Sequence, residues 1–309
     1  MSFGGAVTYD FSGTAETLPS VKGEVRDFIA LLKPRVMTLV VFTAIAGMVV
    51  APGHLHPFLA IIAIFCIALG AGAAGAINMW YDRDIDAVMI RTQKRPLPQN
   101  RIHPGDALAF GSVLTLFSVM TMGLAVNWVA AGLLAFASFF YVMIYTVWLK
   151  RRTPQNIVIG GAAGAFPPVI GWASVTGSIS LFPIILFAII FFWTPPHFWA
   201  LALYKNSDYQ KAGVPMLPVV SGKKTTKWQM LFYTLLLFPL CMVPYFTGNM
   251  GLVYLIGSLI LNGVFIGCAL QVLRHENMRP AKAMFGYSIF YLFALFSLVM
   301  IDGAIYAFN

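Results

Sequence analysis

The chain has 309 residues, 59% of them hydrophobic and only 10% charged. So apolar a composition over this length excludes a soluble globular domain and a disordered chain, and marks a polytopic membrane protein. The formal net charge of +9 invites a nucleic-acid reading, but the basic residues lie in short loops between apolar stretches, where membrane topology accounts for them; no nucleic-acid partner is expected.

Residues 1–26 are polar and mixed. They lack both the basic start, apolar core and cleavage site of a signal peptide and the Arg-rich, acid-poor character of a transit peptide. We therefore expect a polar cytoplasmic tail over 1–26, a single membrane domain over 27–309, and residence in a bacterial cytoplasmic (inner) membrane. Nine apolar stretches follow, at roughly 35–52, 57–79, 107–125, 128–148, 156–176, 181–201, 229–247, 250–272 and 284–307. Each is near the ~20 residues a bilayer-spanning helix needs, which predicts an all-α membrane fold of nine helices. The loops alternate in charge: every one of the 20 Lys and Arg residues falls before or at the start of the first span or in every second loop after it. By the positive-inside rule the N-terminus is cytoplasmic and the C-terminus outside. Cys66, Cys241 and Cys268 lie within apolar stretches and have no C-x-x-C spacing, so they read as small packing residues. Asp302, near the outer end of the last span, has no role that the pattern assigns.

Chemistry concentrates after the second span, in Asn78-Met-Trp-Tyr-Asp82-Arg-Asp-Ile-Asp86 and the basic run Arg91-Thr-Gln-Lys94-Arg95-Pro. On a helix, positions 78, 82 and 86 advance about 40° per step and stack about 6 Å apart, forming one polar stripe with Asp84 on the other side. An amide and two carboxylates so placed suit a Mg²⁺ ion that keeps waters and bridges to phosphate. Arg91 and Arg95 are four apart beside the stripe and suit bidentate phosphate binding. Lys33 and Lys150, at the ends of two spans, are the other cations expected to reach the site.

The second long cytoplasmic loop contains Lys205 and Asp208 and, through Gly213, Pro215 and Pro218, is expected to end its helix near 212. Asp208 is a further metal candidate. His197, in Trp193-Thr-Pro195-Pro196-His-Phe-Trp199, lies near the cytoplasmic end of the sixth span. The Pro pair is expected to break the helix there, and broken membrane helices are tolerated chiefly where they line a cavity.

These residues resemble the UbiA superfamily of intramembrane prenyltransferases, whose first signature is similar to Asn78-x-x-x-Asp82-x-x-x-Asp86 with Arg91-Thr-x-x-Arg95-Pro. Further stretches are similar to the branch of that superfamily that prenylates heme: Lys33-Pro-Arg35, Tyr145-Thr-x-x-Leu-Lys150-Arg-x-Thr-Pro-Gln-Asn156, Thr194-Pro-Pro-His197-Phe-Trp, and Asp208-Tyr-x-x-Ala-Gly-Val-Pro-Met-Leu-Pro218. The wider superfamily has a second acidic motif with two aspartates four apart; here Lys205 stands at the first of those positions and only Asp208 remains.

The resemblance implies nine helices around a central cavity, and transfer of the farnesyl group of farnesyl diphosphate to a vinyl group of heme B with addition of water, giving heme O for a terminal oxidase. It implies Mg²⁺ at Asn78, Asp82, Asp86 and Asp208, and diphosphate binding by Lys33, Arg91, Lys94, Arg95, Lys150 and Lys205. It also implies heme contact by His197, and as partners the lipid bilayer and heme A synthase or oxidase assembly proteins. Three other readings remain at this point, of which an assembly factor that binds heme without altering it leaves the acidic stripe unexplained. Another is a prenyltransferase acting on an aromatic acid or quinone precursor. The third is a cation-coupled transporter, although transporters hold their ions near the midplane and these acids cluster at one face.

Overall fold

The computed structural model describes residues 23–307, so most of the tail expected over 1–26 lies outside the described residues. The described chain is helical and contains no strand. In order it forms α1 (Val25–Leu31), α2 (Pro34–Val49), α3 (Pro57–Tyr81), α4 (Arg83–Val88), α5 (Pro104–Ala125) and α6 (Trp128–Phe139), which runs on as a wider π-helix (Phe140–Leu149). Then come α7 (Asn156–Ala165), α8 (Pro167–Thr176), α9 (Leu181–Tyr204), α10 (Asn206–Lys211), α11 (Leu217–Val220), α12 (Gly222–Leu240), α13 (Val243–Phe246), α14 (Leu252–Arg274) and α15 (Arg279–Ala307). Among the described residues, 8 helices or joined helices are long and apolar enough to cross a bilayer, and α1 with α2, bent by 52°, makes up to 9. The protein is a multi-pass membrane protein; the helix at the first expected span, α2, reaches spanning length only together with α1.

Local chemistry sets the helix starts. Proline occupies the first position of α2, α3, α5 and α8, where its missing N–H costs no helical bond. Side chains cap three helices, two of them among these: His56 accepts from Phe58 N at the start of α3, His103 from Gly105 N at α5 and Asn127 from Ala130 N at α6, satisfying donors that the helix cannot. The two histidines are therefore caps, a role that their loop positions did not suggest.

Two proline pairs behave in opposite ways. The helix expected to break at Pro195-Pro196 does not: α9 passes through both. Thr194 Oγ1 donates to Ile190 O at 2.8 Å, and both prolines are buried among neighbouring helices that hold the turn in place. The span expected over 156–176 is broken instead, at Phe166, because Pro167 and Pro168 lack the N–H groups that α7 needs to continue.

Consecutive spans pack side by side, and α15 packs back against α2, so the helices close into a ring. Asp302 completes this ring on the side opposite the basic loops. It is 2% exposed, and from α15 it accepts the Gly251 N–H and, at 3.2 Å, the Tyr254 N–H. A carboxylate thus caps the N-terminus of α14 from a different helix, meeting both the orphan donors and the helix dipole. Asp302→Ala is expected to cost about 2 kcal/mol and to lower Tm by a few degrees in detergent; an unchanged melting curve would remove this role.

Candidate active site

Inside the ring lies a cavity of about 390 Å³ whose wall carries Lys33, Asn78, Asp86, Arg91, Arg95 and Lys150. Its depths are apolar: Ile67, Leu134, Phe166 and Ile190 line it. Asn78 and Ile67 both belong to α3 and are eleven residues apart, so the cavity descends about 16 Å from its polar end.

The polar stripe forms, though not on one unbroken helix. α3 ends at Tyr81, Asp82 takes φ −89° and ψ 9°, and α4 then resumes. Backbone bonds from Asp82 N to Asn78 O at 2.9 Å and from Asp86 N to Asp82 O at 2.8 Å carry the helical spacing across the break. Asn78, Asp82 and Asp86 therefore stay on one buried face, at 3%, 0% and 3% exposure.

Each group on this face is held by a cation or an amide. Lys33 donates to Asn78 Oδ1 at 2.8 Å, and Asn78 Nδ2 donates to Asp82 Oδ2 at 2.6 Å. Lys150 bonds the same Asp82 oxygen, while Arg95 bonds Asp86 Oδ2 at 2.5 Å. Lys33 reaches the site from a left-handed backbone, φ 52°, between α1 and α2. A non-glycine residue there stores about 1 kcal/mol or more of strain, retained here because it aims the ammonium inward. Arg91 lines the cavity with no hydrogen bond or ion pair among the described residues. Four cations thus face two buried carboxylates, and the surplus of positive charge suits a polyanion.

Asp84 points away, as its place on the stripe requires. Its 61% exposed side chain takes two 2.7 Å bonds from Arg151, and this guanidinium holds the Asp84 carboxyl below its ordinary range. Arg151 also lies over the Tyr81 ring, 5.0 Å from its centroid, and so fastens the α3–α4 corner to the loop after the fourth span.

The remaining candidates divide. His197 lines the cavity; Lys94 and Lys205 do not. Lys94 is exposed, and Lys205 lies over Tyr204. Asp208 is off the cavity wall, 3% exposed on α10, beside Tyr209, which does line the cavity; its helix ends at Lys211, as expected. Asp208 Oδ2 and Asp82 Oδ1 are buried with no hydrogen-bond partner. Among the described residues no three His, Cys, Asp or Glu side chains converge; the metal donors on offer are carboxylate and amide oxygens. Hard oxygen donors of this kind, with Asp208 Oδ2 unpartnered and Asp82 Oδ1 held only by the Arg151 guanidinium at 3.6 Å, fit Mg²⁺ completed by water and phosphate.

The sequence reading did not single out what the π-helix contributes. Its wide turn lets Thr146 Oγ1 donate to Tyr141 O at 2.8 Å while accepting from Asn78 Nδ2 at 3.1 Å. Tyr141 and Tyr145, one turn apart, both line the cavity. π-turns gather at functional sites, but the apolar sequence Phe140–Leu149 has no residue that signals one.

Residues 40–298 match the model of the UbiA prenyltransferase family. A protoheme IX farnesyltransferase of Parvibaculum lavamentivorans is 59% identical over 284 residues, covering 91% of this chain and 89% of that protein. One of Agrobacterium fabrum is 58% identical over 292 residues, covering 93% and 92%. Among solved structures, one concerning digeranylgeranylglyceryl phosphate synthase has a TM-score of 0.75 at 19% identity and covers 90% of this chain and 98% of that one. A UbiA homologue from Archaeoglobus fulgidus bound to GPP and Mg²⁺ has a TM-score of 0.62 at 15% identity, covering 88% and 99%. These structures share the fold.

Proposed function

The chain belongs to the UbiA prenyltransferase family, in the branch of the protoheme IX farnesyltransferases, and we propose that it transfers the farnesyl group of farnesyl diphosphate to a vinyl group of heme B, with water completing the addition. The observation that carries this reading is one cavity with two chemistries: a cationic end whose wall carries the buried carboxylate of Asp86 opens onto a deep apolar chamber, matching a diphosphate joined to an isoprenoid chain.

Lys33, Arg91, Arg95 and Lys150 bind the diphosphate oxygens, and the bond from allylic carbon to oxygen breaks with its electron pair leaving on the diphosphate. Mg²⁺ held by Asn78, Asp82 and Asp86, with Asp208 from α10, would supply Lewis-acid neutralisation of that charge. The aromatic walls, Tyr141, Tyr145, Trp193 and Phe198, shelter the allylic cation by their π-faces and keep water away until the vinyl carbon attacks. Water then adds to the resulting cation and loses a proton, leaving a hydroxyethylfarnesyl substituent. His197 contacts the heme. The basic loops face the cytoplasm of a bacterial inner membrane, in keeping with the one-sided distribution of Lys and Arg. Heme A synthase and oxidase assembly proteins are the partners that the product's fate suggests.

The acceptor separates this reading from a quinone-precursor prenyltransferase. Given radiolabelled farnesyl diphosphate with equimolar heme B and a hydroxybenzoic acid, the purified protein is expected to label the porphyrin alone. Label on the phenolic acid would overturn the heme assignment and keep the family.

A further inference from the structure

A second cavity, about 750 Å³, lies beside the first between α2 and α15. Arg35, Leu39 and Phe42 of α2 face Phe285, Ile289 and Phe293 of α15 across it. On each helix these residues recur every three or four positions and form one stripe. Phe42 and Phe293 close the far end, stacked 4.6 Å apart. His197 lines this groove and the first cavity alike, so it stands in the partition between them.

The bonding around His197 decides which of its nitrogens is free. Ser288 Oγ has one proton and donates it to Phe285 O at 2.7 Å. The 2.6 Å contact between Ser288 Oγ and His197 Nδ1 therefore has Nδ1–H as its donor. Ser288 O accepts from Trp193 Nε1 at 2.9 Å, which fastens α9 to α15 at the same residue. Trp193 and Phe285 cover the two faces of the imidazole at 4.4 and 4.8 Å. What remains is the edge bearing the Nε2 lone pair, which has no hydrogen-bond partner among the described residues.

Resting on the reading that heme is the acceptor, we propose that its macrocycle seats in the groove between α2 and α15, with the iron ligated by His197 Nε2 and a propionate held by Arg35. An iron porphyrin is a flat apolar disc with a metal at its centre and acids at one edge. The groove answers each part: an aromatic and aliphatic slot, one imidazole with a free lone pair, and one exposed arginine with no ion pair among the described residues. Arg35 and Phe42 are seven residues apart, about 10 Å along α2, the breadth of a porphyrin ring. Seated there, the acceptor meets the farnesyl cavity across the partition that His197, Val36 and Leu39 share.

The test is titration of the detergent-purified full chain with ferric heme and with iron-free protoporphyrin IX. The wild type is expected to give an imidazole-ligated Soret spectrum and to bind heme at least tenfold tighter than the iron-free ring. His197→Ala should remove that spectrum and bring the ratio near one, with free imidazole restoring the spectrum. Gly286→Leu is the second variant: no atom lies within 4 Å of a Cβ added at Gly286, so the side chain enters the groove without straining the fold. It should weaken both porphyrins more than tenfold while leaving farnesyl diphosphate binding unchanged. A wild-type spectrum and iron preference in His197→Ala, or undiminished porphyrin binding in Gly286→Leu, would overturn the seat even if farnesylated heme is still made. Failure of the wild type to bind heme or make that product would instead overturn the proposed function, and this inference with it.

Discussion

Asp82→Asn is expected to lower the rate of farnesyl transfer about a thousandfold or more while the protein stays folded. Asp82 is wholly buried and is the junction of the polar face, where Asn78 and Lys150 meet on one oxygen while the other is left without a hydrogen bond. An amide of the same shape keeps the packing and one acceptor but removes the charge that a divalent ion and the surrounding cations need. Lys150 is 19% exposed and can turn toward the cavity, so loss of its partner does not leave it stranded. Asp84→Asn is the control: two residues on, that carboxylate is exposed and binds only Arg151 among side chains, and surface pairs are worth about 1 kcal/mol or less. Turnover within about twofold of wild type is expected there. Steady-state turnover and thermal melting of both variants decide the matter, and wild-type turnover in Asp82→Asn would remove the buried stripe from the chemistry.

The largest effect on the fold is expected at Gly171. A Cβ placed there collides with the Ala44 carbonyl, and one at Gly47 collides with the Pro168 carbonyl, so α2 and α8 cross with their backbones in direct contact. Membrane helices lack a hydrophobic force between them and rely on such close approach. Relief would require moving a helix, since the obstacles are backbone atoms, and overpacking of this kind costs about 3 kcal/mol or more. Because α2 also carries the approach of Lys33 and helps close the ring, Gly171→Leu is expected to prevent recovery of folded, monodisperse protein. Gly263→Ala, with no atom within 4 Å of the added Cβ, should be neutral or stabilising by up to about 1 kcal/mol. Size-exclusion profiles of the two variants test the contrast; a normal profile for Gly171→Leu would show that the crossing tolerates separation.

Spans and stripe were legible in the sequence because both rest on local periodicity. Twenty apolar residues in a row have few alternatives to a membrane helix, and a spacing of four keeps Asn78, Asp82 and Asp86 on one face even across a break. What escaped depends on contacts distant in sequence. Asp302 serves α14 from α15, across 51 residues, and nothing adjacent to it announces a cap. Ser288 sets the tautomer of His197 across 91 residues. The proline pairs show the limit most directly: Pro167-Pro168 breaks its helix and Pro195-Pro196 does not, a difference made by the surrounding helices and invisible in the dipeptide. Basic residues illustrate it too, because the resemblance implies both Lys33 and Lys94 at the diphosphate, yet of the two only Lys33, from its strained turn, delivers its ammonium to the cavity.

The most direct measurement is mass spectrometry of the porphyrins formed when the purified protein receives heme B, farnesyl diphosphate and Mg²⁺, with an EDTA control. The expected result is a species heavier than heme B by one farnesyl group plus the elements of water, formed with the metal and lost with the chelator. Farnesyl diphosphate that stays bound, or is consumed on another acceptor with every porphyrin unchanged, would contradict it.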